Sequence, residues 1–100
     1  MLITFSCNGQ NPPGKLADCE LQWADGPLSG LKLIGFSVWE RRGGHGRMVT
    51  FPARQYSVSG ERRSIALLRP VADISGQDRL RDLILAGYAE YEQQMAAVDA

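Results

Sequence analysis

The sequence predicts an α+β protein, in which an antiparallel β-meander of four to five strands precedes one C-terminal amphipathic helix packed on the sheet. Two observations lead to this fold class. Short apolar or alternating segments separated by turn residues fill positions 1–70, whereas apolar residues recur at spacings of three and four after Ser75. At 100 residues the chain has room for a single domain, with an N-terminal strand and loop (1–14), a meander (15–70) and a helix (75–96).

Two strands are predicted in the first third of the chain. Residues 2–6 form a short apolar segment that ends in a cluster of turn residues at 7–14. From 16 to 23 apolar and polar side chains alternate, which is the period of a strand with one buried face. We expect Trp23, at the end of this strand, to belong to the core, and Trp39 likewise.

Further strands complete the predicted meander. Residues 31–39 are apolar at both odd and even positions, a pattern typical of a central strand with both faces covered. A glycine-rich turn leads into a strand at 48–51, which Pro52 ends because it lacks an N–H donor. A polar loop at 55–60 and a strand at 64–68 follow. The connections have hairpin length, so neighbouring strands should be antiparallel.

The last third of the chain changes to a helical period. Ser75 and Asp78 fit a capping box at the start of a helix that runs from about 76 to 95. Gly87 costs about 1 kcal/mol relative to alanine inside a helix, so we expect a close backbone approach there. The apolar stripe consists of Leu80, Leu83, Ile84, Gly87, Tyr88, Tyr91 and Met95.

A single helix can cover one face of the sheet, yet segment 31–39 is apolar on both. A large bare apolar patch is unusual on a soluble monomer, so we expect a symmetric partner subunit and hence a homodimer. The alternative is that sheet curvature and the N-terminal arm cover the second face.

The composition excludes several function classes. Two cysteines (Cys7, Cys19) and one histidine (His45) are too few for a disulfide framework or a zinc site, and no nucleophile or phosphate-loop motif occurs. We expect no enzyme activity, no catalytic residue, no metal, no cofactor and no small-molecule substrate. No apolar run approaches the roughly 18 residues of a membrane span, and no secretory signal is visible, so we predict a cytoplasmic protein without a membrane partner.

The net charge of zero hides an uneven distribution. Segment 41–69 carries seven arginines against Glu61 alone, whereas 1–40 and 70–100 are both acidic. The planar guanidinium of arginine suits bidentate contact with phosphate and stacking on bases. The seven residues are Arg41, Arg42, Arg47, Arg54, Arg62, Arg63 and Arg69.

These charges predict a small dimeric nucleic-acid-binding regulator that contacts DNA or RNA phosphates through an arginine-rich loop rim. A tyrosine within the rim can stack on an unpaired base. The alternative is a protein-interaction module that docks an acidic partner through the same rim, without nucleic acid. A third possibility is a solvated edge that discourages sheet-to-sheet aggregation. The candidate nucleic-acid-binding residues are Arg54, Arg62, Arg63, Arg41, Arg42 and Tyr56.

Three short runs carry a resemblance to a known family. The run 47–54 ends an apolar strand in Phe-Pro-Ala-Arg, the run 60–65 is Gly-Glu-Arg-Arg-Ser-Ile, and Arg-Pro-Val occupies 69–71. With the order of elements from 1 to about 92, these resemble the SpoVG family of small bacterial septation and sporulation regulators. They are similar to its Met-Pro-Ser-Arg/Lys element, its Asp-Gly-x-x-x-Asp-Ile stretch and its His-Pro-Ile.

The resemblance has implications for fold and function. It implies a β-meander with a C-terminal helix, a homodimer, and site-preferring binding of DNA or RNA. Carried over by position, the nucleic-acid contacts would be Arg54, Arg62 and Arg63. The chain departs from the family pattern at Arg69, where the family has histidine, and at Ser59 and Ser64, where it has aspartate.

Overall fold

The computed structural model describes residues 1–7, 11–44 and 46–99, and in these ranges six strands precede one helix. The first four strands form an antiparallel sheet in the order β1-β2-β3-β4, and β5 and β6 pair separately as a hairpin. The elements are β1 (Leu2–Ser6), β2 (Lys15–Gln22), β3 (Lys32–Glu40), a 3₁₀ turn (Arg42–Gly44), β4 (Arg47–Thr50), β5 (Ala53–Val58), β6 (Glu61–Ala66) and α1 (Ser75–Asp99). The predicted α+β class, an antiparallel meander followed by one C-terminal helix on the sheet, is confirmed.

The core lies between the four-stranded sheet and α1. Alternate residues of a strand share a face, and the buried residues of β2 alternate, so they define the face that α1 covers. At the β1 edge, the ring centroid of Phe5 lies 5.6 Å from those of Tyr88 and Tyr91. Among the described residues, the buried hydrophobic side chains are Ala17, Cys19, Leu21, Phe36, Val38, Ile84 and Tyr88. Trp23 packs against this core, as predicted.

A β-bulge interrupts the alternation of β3. Leu33 pairs with Leu21 and Phe36 pairs with Cys19, so β3 uses three residue steps where β2 uses two. Gly35 lies inside this bulge at a φ of 106°, a backbone conformation that glycine tolerates and other residues do not. The extra residue brings Leu33 and Phe36 to the same face of the sheet, although one is at an odd position and the other at an even one.

The bulge explains why the apolar residues of segment 31–39 occur at both odd and even positions, since the alternation shifts by one residue. Leu33, Phe36 and Val38 pack in or against the core, whereas Leu31 and Ile34 are exposed. On the opposite face, the Ser37 hydroxyl donates to Asp18 at 3.4 Å, and Lys32 pairs with Glu20 at 3.2 Å. The uncovered face is thus partly polar and partly apolar, and the expected partner subunit stays a prediction.

Residues 55–60 were predicted as a polar loop, and this prediction is wrong. They belong to β5 and to a tight hairpin turn at Ser59 and Gly60, whose φ values are 52° and 79°. Two consecutive positive φ values make the mirror-image turn that matches the twist of paired strands. Strand bounds elsewhere differ little: β2, β3 and β4 shift by one residue, and β6 begins three residues before the predicted 64–68.

The hairpin, which we call the β5–β6 arm, stands away from the core. Every residue of β5 and β6 is exposed. The base of the arm is fixed, because the Leu67 N–H donates to the carbonyl of buried Pro52 at 2.9 Å. The radius of gyration, 15.3 Å, exceeds the roughly 13 Å of a compact domain of this length. Both faces of the arm are therefore accessible to solvent.

The helix α1 buries a narrower stripe than the sequence predicts. Leu80, Gly87 and Tyr91 are half-buried beside the two fully buried positions. Leu83, by contrast, is 54% exposed, and Met95 is also exposed. A Cβ added to Gly87 would lie 3.3 Å from the Phe5 ring, which confirms the predicted close approach. Among the described residues, no helix has the length and apolar character needed to cross a membrane.

The start of α1 is capped by Asp73 and not by the predicted pair. The Ser75 N–H donates to Asp73 Oδ1 at 2.9 Å, and the Ser75 hydroxyl donates to the same oxygen. These bonds, the hydroxyl bond first, lower the pKa of Asp73. The Asp78 N–H donates instead to the Ile74 carbonyl, and the Asp78 carboxylate pairs with Arg81 at 3.2 Å. The capping-box prediction is wrong because the Asp73 carboxylate, two residues before Ser75, accepts the hydrogen bond from the first free N–H of the helix.

Candidate nucleic-acid interface

The register of the β5–β6 arm sorts its side chains onto two faces. Tyr56 pairs directly with Arg63, and Arg54 pairs with Ile65. Directly paired residues share a face, as do alternate residues along one strand. Arg54, Tyr56 and Arg63 therefore lie together on one face, which we call the Tyr56 face. Val58, Glu61 and Ile65 complete it.

The groups of the Tyr56 face are accessible. The side chain of Tyr56 is 40% exposed, and Arg54 and Arg63 are exposed. Arg63 pairs with Glu61 at 3.3 Å, but both side chains are more than half exposed, so this pair contributes less than about 1 kcal/mol. Among the described residues, Arg54 makes no ion pair. An incoming anion therefore meets two arginines that are weakly held or unpaired.

Arg62 lies on the opposite face of the arm. It pairs with Ser57, beside the pair of Gln55 and Ser64, whose amide and hydroxyl lie 3.3 Å apart. The sequence places Arg62 and Arg63 side by side, but on a strand adjacent residues point to opposite faces. The two arginines therefore address different sides of the arm.

Arg41 and Arg42 lie elsewhere in the fold. They belong to the connection between β3 and β4, whereas the arm follows the other end of β4. β4 takes three residue steps, so the two basic clusters are separated by about 10 Å of strand. The single rim predicted from the sequence becomes two separate clusters. His45, in the same connection, lies outside the described residues.

Arg47 makes its contacts with α1 and not with solvent alone. Its Nη2 donates to both carboxylate oxygens of Glu92, at 2.8 and 2.7 Å, and its guanidinium carbon lies 4.9 Å from the ring centroid of Tyr88. Cations over an aromatic ring are attracted by its negative face. Arg47 therefore fastens β4 to α1, and the cationic segment presents fewer free charges than the sequence count indicates.

Trp39 is the residue that the sequence interpretation missed. Val38 is buried against α1, so the next residue of β3 lies on the other face of the sheet. There Trp39 pairs with Met48 of β4 and borders an open cleft together with Arg41 and Arg42. Its position in an apolar strand predicts a core residue. The bulge shifts the alternation of β3, so the face on which Trp39 lies follows only from the structure.

The two cysteines occupy different surroundings. Cys7 is exposed, and its thiol donates to the Leu16 carbonyl at 3.0 Å. Tyr91 donates to the Cys7 sulfur at 3.8 Å, a bond that raises the pKa of Tyr91. Cys19 is buried, and desolvation, with the nearby charge of Glu20, raises its pKa to about 11. Within the described ranges, no group of three or more His, Cys, Asp or Glu is placed to hold a metal ion.

Comparison with protein-family models, with curated proteins and with solved structures finds no match to this chain.

Proposed function

We propose that this chain is a small nucleic-acid-binding regulator that contacts the phosphates of DNA or RNA through the arginines of the β5–β6 arm. One observation carries the proposal: Arg54, Tyr56 and Arg63 share one exposed face of a hairpin that stands away from the core. Guanidinium groups suit phosphate oxygens, and an exposed tyrosine beside them suits a base or sugar.

The dimensions of the arm support this proposal. Arg54 and Tyr56 are two steps apart on β5, about 6.6 Å, and Arg63 lies about 5 Å across the ladder from Tyr56. A two-stranded ribbon fits the major groove of duplex DNA, which is about 12 Å wide. Because Arg62 and Arg63 lie on opposite faces of the arm, we expect them to contact different phosphates.

A salt series tests the proposal. If about five phosphates are neutralised, log affinity for duplex DNA falls with log salt at a slope near −4.5, and each lost contact reduces the slope by about 0.9. We expect R62A/R63A to weaken binding and to bring the slope near −2.7. Arg79→Ala removes the same kind of charge from α1 and serves as the matched control. Unchanged affinity and slope in R62A/R63A would overturn the assignment.

A second candidate function is the docking of an acidic protein partner on the same face. Val58 and Ile65 are 45% and 42% exposed on the Tyr56 face. Apolar, tyrosine and arginine side chains together are typical of protein interfaces. A pull-down with the purified chain distinguishes the two candidates. Capture of an acidic protein that survives nuclease treatment and is lost in Tyr56→Ala favours docking, whereas loss of capture with nuclease favours nucleic acid.

A homodimer and a cytoplasmic location belong to the same proposal. Three large apolar side chains near the β2–β3 connection, Leu28, Leu31 and Ile34, are exposed and give a second copy something to bury. Two copies also double the number of cationic arms available to one nucleic acid. Sedimentation equilibrium tests the dimer, and a monomer mass at tens of micromolar would remove it. The resemblance to the SpoVG family points to the same function through its short motifs alone.

A further inference from the structure

The open cleft beside Trp39 lies on the sheet face opposite α1, at the connection between β3 and β4. It has a volume of about 1050 Å³ and is bordered by Trp39, Met48, Arg41 and Arg42, among others. We call it the Trp39 cleft. This volume is slightly above the roughly 300–1,000 Å³ of typical ligand pockets, so the cleft has room for a group the size of a small organic ligand.

The indole that borders the cleft is held in place by its neighbours. Trp39 Nε1 donates to the Thr50 hydroxyl at 2.9 Å, and Gly14 lies near the ring, since a Cβ added there would be 4.0 Å from Trp39 Cε3. Met48, directly across from Trp39 on β4, is 40% exposed. The only polar atom of the indole is thus satisfied inside the protein. A ligand that reaches the ring from the cleft meets an apolar, oriented surface, which favours stacking.

The rim of the cleft is cationic. Arg41 and Arg42 are exposed, and in the part of the chain that the structure describes neither makes an ion pair. The Arg41 N–H donates to the Gly46 carbonyl at 3.0 Å, and the Gly44 N–H donates to the Arg41 carbonyl at 3.1 Å. These bonds fix the backbone that carries the two guanidinium groups. Glu40 also borders the cleft, so the rim has two positive charges against one negative charge.

We propose that the Trp39 cleft binds an unpaired nucleotide of a single-stranded nucleic acid. The base stacks on the indole of Trp39 beside Met48, and the flanking phosphates contact Arg41 and Arg42. An aromatic platform beside a positive rim is how proteins hold single strands without requiring a particular sequence. A base inside a duplex is already stacked on both sides and would have to be unstacked first, which disfavours the duplex.

This inference rests on the proposed function for its ligand class, nucleic acid, and adds that the part of the ligand in the cleft is single-stranded. The cleft and the base of the β5–β6 arm lie towards opposite ends of β4, a strand about 10 Å long. A duplex in contact with the arm can therefore continue as a single strand of a few nucleotides whose free bases reach the cleft.

Tryptophan fluorescence tests the proposal. Trp23→Phe leaves Trp39 as the only tryptophan, and this variant is titrated with oligothymidylate of about twelve nucleotides and with a duplex of the same length. We expect saturable quenching by the single strand and none by the duplex at the same concentration. Trp39→Phe, which keeps Trp23, is the matched control and should show no quenching. Arg41 and Arg42 are exposed, so we expect R41A/R42A to keep the fold and to weaken binding at least tenfold.

The outcomes separate this inference from the proposed function. If Trp39 is not quenched, or is quenched equally by the duplex, the cleft assignment is overturned, even when arm variants still alter binding. If R41A/R42A weakens binding and R62A/R63A does not, the cleft stands and the arm loses its role. If neither double variant changes the affinity for either probe, both proposals fall.

Discussion

Gly35→Ala is the substitution with the most sharply defined structural cost. The added methyl group would lie 2.9 Å from Pro52 Cβ and 3.4 Å from Pro52 Cα, and the residue has a φ of 106°. A non-glycine residue at positive φ costs about 1–2 kcal/mol, and forcing extra carbon into a packed site costs about 1–3 kcal/mol more. We expect Gly35→Ala to reduce the free energy of unfolding by about 2–5 kcal/mol.

Gly30→Ala is the matched control. Gly30 also has a positive φ, 82°, but an added Cβ would meet nothing within 4 Å. Only the backbone cost of about 1–2 kcal/mol then remains. The difference between the two variants therefore measures the contact of Gly35 with Pro52.

Urea unfolding followed by circular dichroism measures both variants, and thermal melts give a second comparison. One kcal/mol shifts the melting temperature of a domain of this size by about 4–8 °C, so Gly35→Ala should melt at least about 4 °C below Gly30→Ala. If the two variants lose the same stability, the close contact of position 35 with Pro52 carries no energetic cost, and the packing argument for glycine at this position is refuted.

Three further predictions follow from the thiols and from the contact between β4 and α1. A thiol reagent should modify Cys7 and spare Cys19 in the native protein and modify both in denaturant; fast native labelling of two thiols would contradict the burial of Cys19. Because the folded pKa of Cys19, about 11, exceeds its usual value of 9.0, the protonated thiol stabilises the fold below pH 9. This contribution falls by about 1.4 kcal/mol per unit between pH 9 and 11, and Cys19→Ala should show a correspondingly flatter pH dependence of urea midpoints. Glu92→Gln should reduce the free energy of unfolding by less than about 1 kcal/mol at low salt and by almost nothing at 1 M salt, since its pair with Arg47 is partly exposed. Arg47→Ala should reduce it more, because the guanidinium group over the Tyr88 ring is lost as well.

Local periodicity is enough to predict most of the sheet and the helix. The alternation along β2 and the three-and-four spacing along α1 come from one buried face each, and a single sequence records that directly. The close approach at Gly87 was predictable for the same reason, since a glycine inside an apolar stripe has a cost that packing must offset.

The bulge and the arm depend on contacts that a local pattern does not contain. The positive φ of Gly35 and its close approach to Pro52, seventeen positions later, favour glycine at the bulge, and the register shift there sets the face on which Trp39 lies. Strand β5 buries nothing, so it lacks the apolar alternation by which strands are recognised. The Ser59-Gly60 turn was the available signal, because two residues with positive φ join many hairpins.

The candidate site, like the fold, could be predicted from the sequence only in part. The count of charges along the chain located the basic segment, and the arginines of the arm were among the residues predicted from it. Charge counting did not reveal that Arg47 is paired with Glu92, forty-five positions away, because that pairing exists only when α1 lies on the sheet. Assignment of each arginine to a face requires the strand register.

The contact of Phe5 with Tyr88 and Tyr91 has a consequence for the order in which the fold is completed during synthesis. The four-stranded sheet is whole once Thr50 has left the ribosome, yet its apolar face stays bare until the second half of α1 follows. At about 5–20 residues per second, the 38 residues from position 50 to Tyr88 take about 2–8 s. During this interval the nascent chain exposes the surface that later becomes its core. The arginine-rich arm emerges within the same interval. Its positive charge opposes the self-association of nascent chains whose apolar sheet face is still exposed.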